Sequence, residues 1–308
     1  VHELRIAILG AGGVGGVYGG ELARAGHRVS LLARGAHLEA IARGGLEVRT
    51  PDGAFTAKVS ATDDAGALDA ADLAVVAVKT YSLDEVLPAA RALAAGGATI
   101  LPLLNGVDAA DRLAAGGVPR ERILGGLTAL SAAKVAPGVV ERKSPFQVVT
   151  VGELAGGVSN RAEDVAAAFR GAGIDAKVSA DIAADLWRKL AFISAMAAAC
   201  GLARVPVGAV REAPYGRLLF ERAIGEALAV AKAKGVAVAS DDSAKTMRFV
   251  ENLGPAMKPS LLLDLEAGSR TEVDDLCGAV SRFGRETGVP TPVQDTATAA
   301  LSAARPRG

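Results

Sequence analysis

Histidine is nearly missing from this chain, and its placement matters more than its number. All three, His2, His27 and His37, fall within the first 37 of 308 residues. Acid–base chemistry in the second half must therefore use another side chain. Cys200 and Cys277 are the only cysteines and no CxxC spacing exists. That excludes a disulfide framework and points to a reducing compartment with two buried packing thiols. No cluster of His, Cys or carboxylate has ligand spacing, so no metal site is expected. Charge of one sign is also lacking, since Lys plus Arg equals Asp plus Glu at 34 each. Such a surface carries no electrostatic footprint for nucleic acid or for an acidic membrane. No run reaches the ~18 consecutive apolar residues of a membrane span. The first strand-like run begins at Leu4, which leaves no room for a signal peptide, and the chain reads as cytoplasmic. Aromatic residues make up 4% while half the chain is apolar, much of it alanine. Close helix contacts are expected in place of bulky aromatic layers.

What is present is a β-α-β-α alternation. Leu4–Leu9, Arg28–Ala33, Leu73–Val78 and Thr99–Leu104 are short apolar runs of the kind buried in parallel sheets. Helices are expected at Val14–Ala25, Ala36–Arg43 and Ser82–Leu93, the last with a capping box of Ser82 and Glu85. Leu46–Val59 reads as a strand pair turning at Pro51-Asp52-Gly53. Ile123–Gly152 mixes short β-rich runs with Pro137-Gly138 and Pro145, and predicts an antiparallel or mixed extension of the sheet. A helix at Ala162–Gly171 and a strand at Ala176–Ser179 follow. Long helical periodicities then take over: Asp181–Cys200, Gly216–Lys234, Asp241–Asn252, Glu272–Thr287 and Pro292–Ala304. The fold class is α/β, a doubly wound Rossmann sheet over residues 1–179, followed by an all-helical domain over 180–308. Helix Gly216–Lys234 and the last helix suit packing within one subunit or in a homodimer.

The segment Gly10-Ala11-Gly12-Gly13-Val14-Gly15 holds GxGxxG between a strand and a helix. Alone the motif is a weak signal. In this context it reads as a dinucleotide loop: Gly10 for the tight turn, Gly12 for approach of the pyrophosphate, Gly15 for helix–strand packing. The helix N-terminus offers N–H groups to the phosphates. An NAD site usually ends its second strand with Asp or Glu. This chain ends it with Ala33-Arg34-Gly35, and a planar cation suits the 2′-phosphate of NADPH. Lys79 and Asn105 close two further strands, where ligands bind in open α/β sheets.

These elements, with Leu186-Trp187-Arg188-Lys189-Leu190 and Ser260 twelve residues before Glu272, resemble the ketopantoate reductase (2-dehydropantoate 2-reductase) family over residues 4 to 300. The resemblance implies NADPH-dependent reduction of a 2-keto acid, 2-dehydropantoate to pantoate in pantothenate biosynthesis. It implies Lys189 as general acid and Glu272 as the carboxylate orienting it. Asn105 would hold the nicotinamide end and the substrate, Arg34 and Lys79 the 2′-phosphate, and Ser260 the substrate carboxylate. The chemistry agrees: a buried ammonium stabilises negative charge on a carbonyl oxygen and then gives up a proton, which Arg cannot do.

The chain departs from the family at two positions. Members typically carry asparagines four and eight residues after the lysine, on its face, where this chain has Ile193 and Ala197. Only Ser194 offers a side-chain hydrogen bond nearby. The departure suggests a paralogue reducing a more apolar 2-keto acid or ketone. Two rivals remain: a 3-hydroxyacid dehydrogenase, disfavoured by Val78-Lys79 and the Ser260/Glu272 spacing, and a non-catalytic NADPH sensor, which needs no acid.

Overall fold

The computed structural model describes residues 3–304. The chain forms two compact units. One comprises the residues up to Leu104 with Asp108–Ile182, the other Asn105–Val107 with the residues from Ala183 onward.

The first unit opens with β1 (Arg5–Leu9), α1 (Gly13–Arg24), β2 (Arg28–Leu32) and α2 (Gly35–Gly44). A hairpin, β3 (Leu46–Thr50) and β4 (Gly53–Ala57), turns at the expected Pro51-Asp52. Then come β5 (Ser60–Thr62), β6 (Leu73–Val76), α3 (Leu83–Ala95), β7 (Thr99–Pro102) and α4 (Ala109–Ala115). Strands β5-β2-β1-β6-β7 pair in that order, all parallel. Every residue of β1 after Arg5 is buried, as a strand covered on both faces requires.

The unit ends with β8 (Leu124–Ala129), β9 (Ala132–Ala136), β10 (Val139–Arg142), β11 (Val148–Glu153), α5 (Asn160–Gly171) and β12 (Asp175–Ser179). The expected extension of the main sheet is instead two smaller sheets, β4-β3-β10-β9 and β12-β11-β8. A single parallel bridge, Ile100 to Ile123, links the β7 region to the start of β8. The turn at Pro137-Gly138 sends β10 back to pair in parallel with β3, which removes it from the main sheet. Helix α1 runs between the main sheet and this β3–β10 sheet. A Cβ on Gly16 would lie 2.6 Å from Val140 Cγ1, and one on Gly20 2.4 Å from Val48 Cγ2, so the small-residue pattern of α1 reflects close approach to a sheet. Buried Tyr18 of α1 shares a hydrogen bond with Thr128 and meets Phe169 edge-on at 5.6 Å.

The described residues of the second unit form α6 (Ile182–Ala203), α7 (Val207–Glu212), α8 (Gly216–Ala233), α9 (Asp242–Asn252), α10 (Ser260–Glu266), α11 (Cys277–Thr287) and α12 (Pro292–Ala303). Helix α6 is long and apolar enough to cross a membrane by length and composition. In this fold it is the core helix, with Ala195–Cys200 buried among Phe220, Ile224, Leu262, Val280 and Leu301 of the surrounding helices. The thiols of Cys200 and Cys277 are both buried, as expected.

Two local expectations are corrected. Ser82 precedes α3 without a side-chain cap; Glu85 pairs with Arg34 instead, at 2.6 Å. The last long periodicity but one starts late: α11 begins at Cys277, and Glu272 sits in a turn whose carbonyl accepts from Asp275 N and Leu276 N. Glu272 is thus no first-turn helix carboxylate.

Candidate active site

In the first unit the glycine loop joins β1 to α1. Gly10 has φ +107°, and a Cβ there would meet Val78 Cγ1 at 2.6 Å. A Cβ on Gly15 would fall 2.0 Å from the Gly10 carbonyl oxygen, so only glycine lets α1 start this close to the loop. Gly13 faces the Ala132 backbone, where a Cβ would lie 2.5 Å from the carbonyl oxygen. Gly12 differs from all three. Its φ of −75° is ordinary and a Cβ would meet nothing within 4 Å. The protein gives no packing reason for glycine there, whereas a pyrophosphate seated on the start of α1 does. Ala11 is buried and Val14 half-buried beside it. The loop therefore fits a dinucleotide.

Arg34 follows β2 and caps α2 with extended backbone. Its side chain is 61% exposed and pairs with Glu85. An exposed ion pair of this kind is worth about 1 kcal/mol or less, so a phosphate can displace the carboxylate. Lys79 follows β6 at the start of a short 3-10 turn, Thr80–Ser82. Two histidines lie among the described residues, and His2 falls outside them. Buried His37, in the first turn of α2, touches the loop directly: its Nε2 lies 2.8 Å from the Ala11 carbonyl and its Nδ1 accepts from Gly138 N at 2.9 Å.

In the second unit, Lys189 sits one-third along α6 and is half-buried. Its neighbours fix the helix around it. Trp187 packs on Phe283 of α11, ring centroids 5.8 Å apart. Arg188 donates to both oxygens of buried Asp242 at 3.1 Å and to Asp185 at 2.8 Å. Asp242 also accepts from Ala239 N, which ties α6 to the start of α9. Burial lowers the Lys189 ammonium to a pKa of about 8, while the charge of Glu272 pulls the other way. Glu272 is buried, and Asn105 Nδ2 donates to its Oε2 at 3.3 Å. Lys189, Glu272 and Asn105 thus form one electrostatic group in one unit. Gly106, φ +96°, follows Asn105 and turns the chain there.

Ser260 is exposed at the first position of α10, after Pro259; none of the contacts described ties it to this group. Ser194 is corrected from a substrate contact to a core group. It is fully buried, and its hydroxyl accepts from Gln294 Nε2 at 3.2 Å. Ile193 is half-buried four residues after Lys189, and Ala197 is fully buried. Sequence reasoning missed Asp242, Gln294 and the contacts of His37. Only Arg34-x-x-His37, a histidine just past the second strand, left a readable trace of any of them.

Comparison with known proteins bears on this arrangement. Residues 6–156 match the family model described as ketopantoate reductase PanE/ApbA, and residues 181–305 its C-terminal counterpart. A 2-dehydropantoate 2-reductase of Halobacterium salinarum is 37% identical over 94% of this chain and 95% of that protein. The crystal structure of a 2-dehydropantoate 2-reductase from Geobacter metallireducens superposes with TM-score 0.90 at 31% identity, covering 98% of this chain and all of that one. A D-mandelate dehydrogenase, solved with NADH and anilino(oxo)acetate, superposes with TM-score 0.89 at 25% identity over 97% of this chain and 98% of that one.

Proposed function

The chain belongs to the ketopantoate reductase family, and from that premise we propose that it reduces a 2-keto acid to the 2-hydroxy acid with NADPH. The observation that carries this reading is the Lys189 ammonium, half-buried beside Glu272, with Asn105 on the same carboxylate. When bound, the nicotinamide supplies the hydride. Lys189 stabilises the negative charge that builds on the carbonyl oxygen and then delivers its proton there. Glu272 keeps Lys189 protonated near neutral pH, against the burial that discharges it. Asn105 donates its side-chain amide to that carboxylate and so helps to hold it beside the lysine. Ser260, exposed at the first position of α10, offers the hydroxyl that the family likeness assigns to the substrate carboxylate.

Arg34 selects the cofactor. Arg34→Ala is expected to weaken NADPH binding about tenfold, the lower end for a lost charged hydrogen bond, and to leave NADH binding within about twofold. Fluorescence titration of both nucleotides checks this; equal losses for the two would remove Arg34 from the 2′-phosphate.

Two substrate readings stand. Family membership favours 2-dehydropantoate. The Lys189 face favours a more apolar 2-keto acid, because Ile193 and Ala197 offer no hydrogen bond and Ser194 is committed to Gln294. A site that pairs a substrate hydroxyl discriminates by about 10⁴–10⁵, and these side chains cannot supply that. NADPH oxidation with 2-dehydropantoate and a panel of 2-keto acids lacking its hydroxyl decides. On the second reading the apolar acids turn over with the higher kcat/KM, and Ile193→Asn moves the preference toward 2-dehydropantoate. Selective, efficient turnover of 2-dehydropantoate by the unmodified protein establishes the first reading. With no turnover but tight NADPH binding, the sensor reading gains.

A further inference from the structure

His37 is buried and uses both ring nitrogens on backbone of other segments. Gly138 N–H can only donate, so Nδ1 of His37 must be an unprotonated acceptor. The one ring proton then sits on Nε2 and is donated to the Ala11 carbonyl at 2.8 Å. The two contacts define a neutral imidazole in a single tautomer. They join three segments: the glycine loop, the first turn of α2 beside Arg34, and the β9–β10 turn.

The Ala11 carbonyl belongs to the peptide that also carries Gly12 N–H. A trans peptide is planar, with C=O and N–H opposed, so fixing one fixes the other. With the Ala11 oxygen held toward α2, Gly12 N–H points the opposite way. Gly12 is the residue whose Cβ would meet nothing in the protein, at the start of α1.

We propose that His37 is a positioning residue for the dinucleotide: its neutral imidazole sets the Ala11–Gly12 peptide in the orientation that receives the pyrophosphate. This rests on reading the glycine loop as the cofactor site. Protonating Nδ1 would set two donors, the new ring N–H and Gly138 N–H, against each other. Burial lowers the His37 pKa from the ordinary histidine value, and Lys134 on β9, the charged group acting on the ring, lowers it further. The Ala11 carbonyl pulls the other way. The loop is therefore set at neutral pH and released as pH falls below the ordinary histidine value of about 6.5.

The test is NADPH titration by fluorescence between pH 5 and 8 for the unmodified protein, His37→Gln and His37→Phe, with thermal melts of each. A phosphate monoester itself titrates near 6, so all three share an acid loss from the 2′-phosphate, and the ratio of Kd values to that of His37→Gln is what reports on the ring. His37→Gln keeps an amide donor and acceptor without a titrating group. It is expected to bind within about threefold of the unmodified protein at pH 8, and relatively more tightly at pH 5. His37→Phe is expected to bind at least tenfold more weakly at pH 8. Should His37→Phe bind normally with only a lowered Tm, or should the ratio for His37→Gln stay constant with pH, His37 is a packing residue and the proposal fails. If His37→Phe does not fold, the His37→Gln ratio alone decides. Failure of the unmodified protein to bind NADPH at all would instead overturn the cofactor reading on which the proposal rests.

Discussion

Lys189→Ala is expected to lower kcat by about 10²–10⁴, the range a positioned general acid contributes, while NADPH affinity stays within about twofold. The separation follows from the fold. Lys189 lies on α6 in the helical unit, whereas the glycine loop, Arg34 and Lys79 lie in the first. Reduction needs the protonated amine, and burial brings its pKa to about 8. The rate should thus be flat below pH 8 and fall about tenfold per pH unit above it, as the acid is lost. Lys189→Arg keeps a cation but cannot release its proton, so it should recover little of the loss. Glu272→Gln removes the one influence that raises the lysine's pKa. Its alkaline limb should accordingly move to lower pH, alongside a drop in kcat. Steady-state rates from pH 6 to 10 with saturating NADPH check all three. A Lys189→Ala variant with unmodified kcat would leave the lysine a half-buried structural charge and return the proton donor to an unknown group. Loss of turnover with intact NADPH binding also separates an enzyme from a nucleotide sensor, whose response should survive the substitution.

How far the sequence reached depended on the range of the interaction. β1, α1, β2 and the β3–β4 hairpin were legible because each is defined by local signals: a buried apolar run, glycine contacts at helix spacing, Pro51-Asp52 at the turn. The partners of β8 to β12 were not, since pairing β10 with β3 joins strands about ninety residues apart and no local pattern encodes it. Glu85 has the spacing of a capping box, yet a cation brought near by the sheet, Arg34, takes its carboxylate. Glu272 lies in a segment with helical periodicity, but the helix starts only at Cys277. The site shows the same limit. Lys189 stands out through its surroundings and the family likeness, whereas the local pattern puts Asn105 at a strand end and the fold groups it with the helical unit, on Glu272. Ser194 looked available because nothing local opposed it; Gln294, a hundred residues on, occupies it.

Two single-methyl substitutions in the loop should have opposite effects, and the contrast argues for what the loop binds. Gly15→Ala puts a Cβ 2.0 Å from the Gly10 carbonyl oxygen and 2.9 Å from Ile8 Cγ2. The first of these is backbone of a strained turn at φ +107°, which cannot yield without moving the end of β1. Overpacking of this kind costs about 1–3 kcal/mol or more, so the variant should melt clearly earlier or fail to accumulate. Gly12→Ala puts its methyl in open space at an ordinary φ, and should melt like the unmodified protein, within about 0.5 kcal/mol. Yet its NADPH affinity should fall at least about tenfold, because the methyl occupies the approach of the pyrophosphate to the backbone. Melting curves and nucleotide titrations on the two variants give the result directly. Stability tracks the glycine that the protein needs, and affinity tracks the one that only a ligand needs. A Gly12→Ala variant that binds NADPH normally would mean that the space in front of Gly12 is not where the phosphates sit, and the cofactor reading of the loop would fall with it.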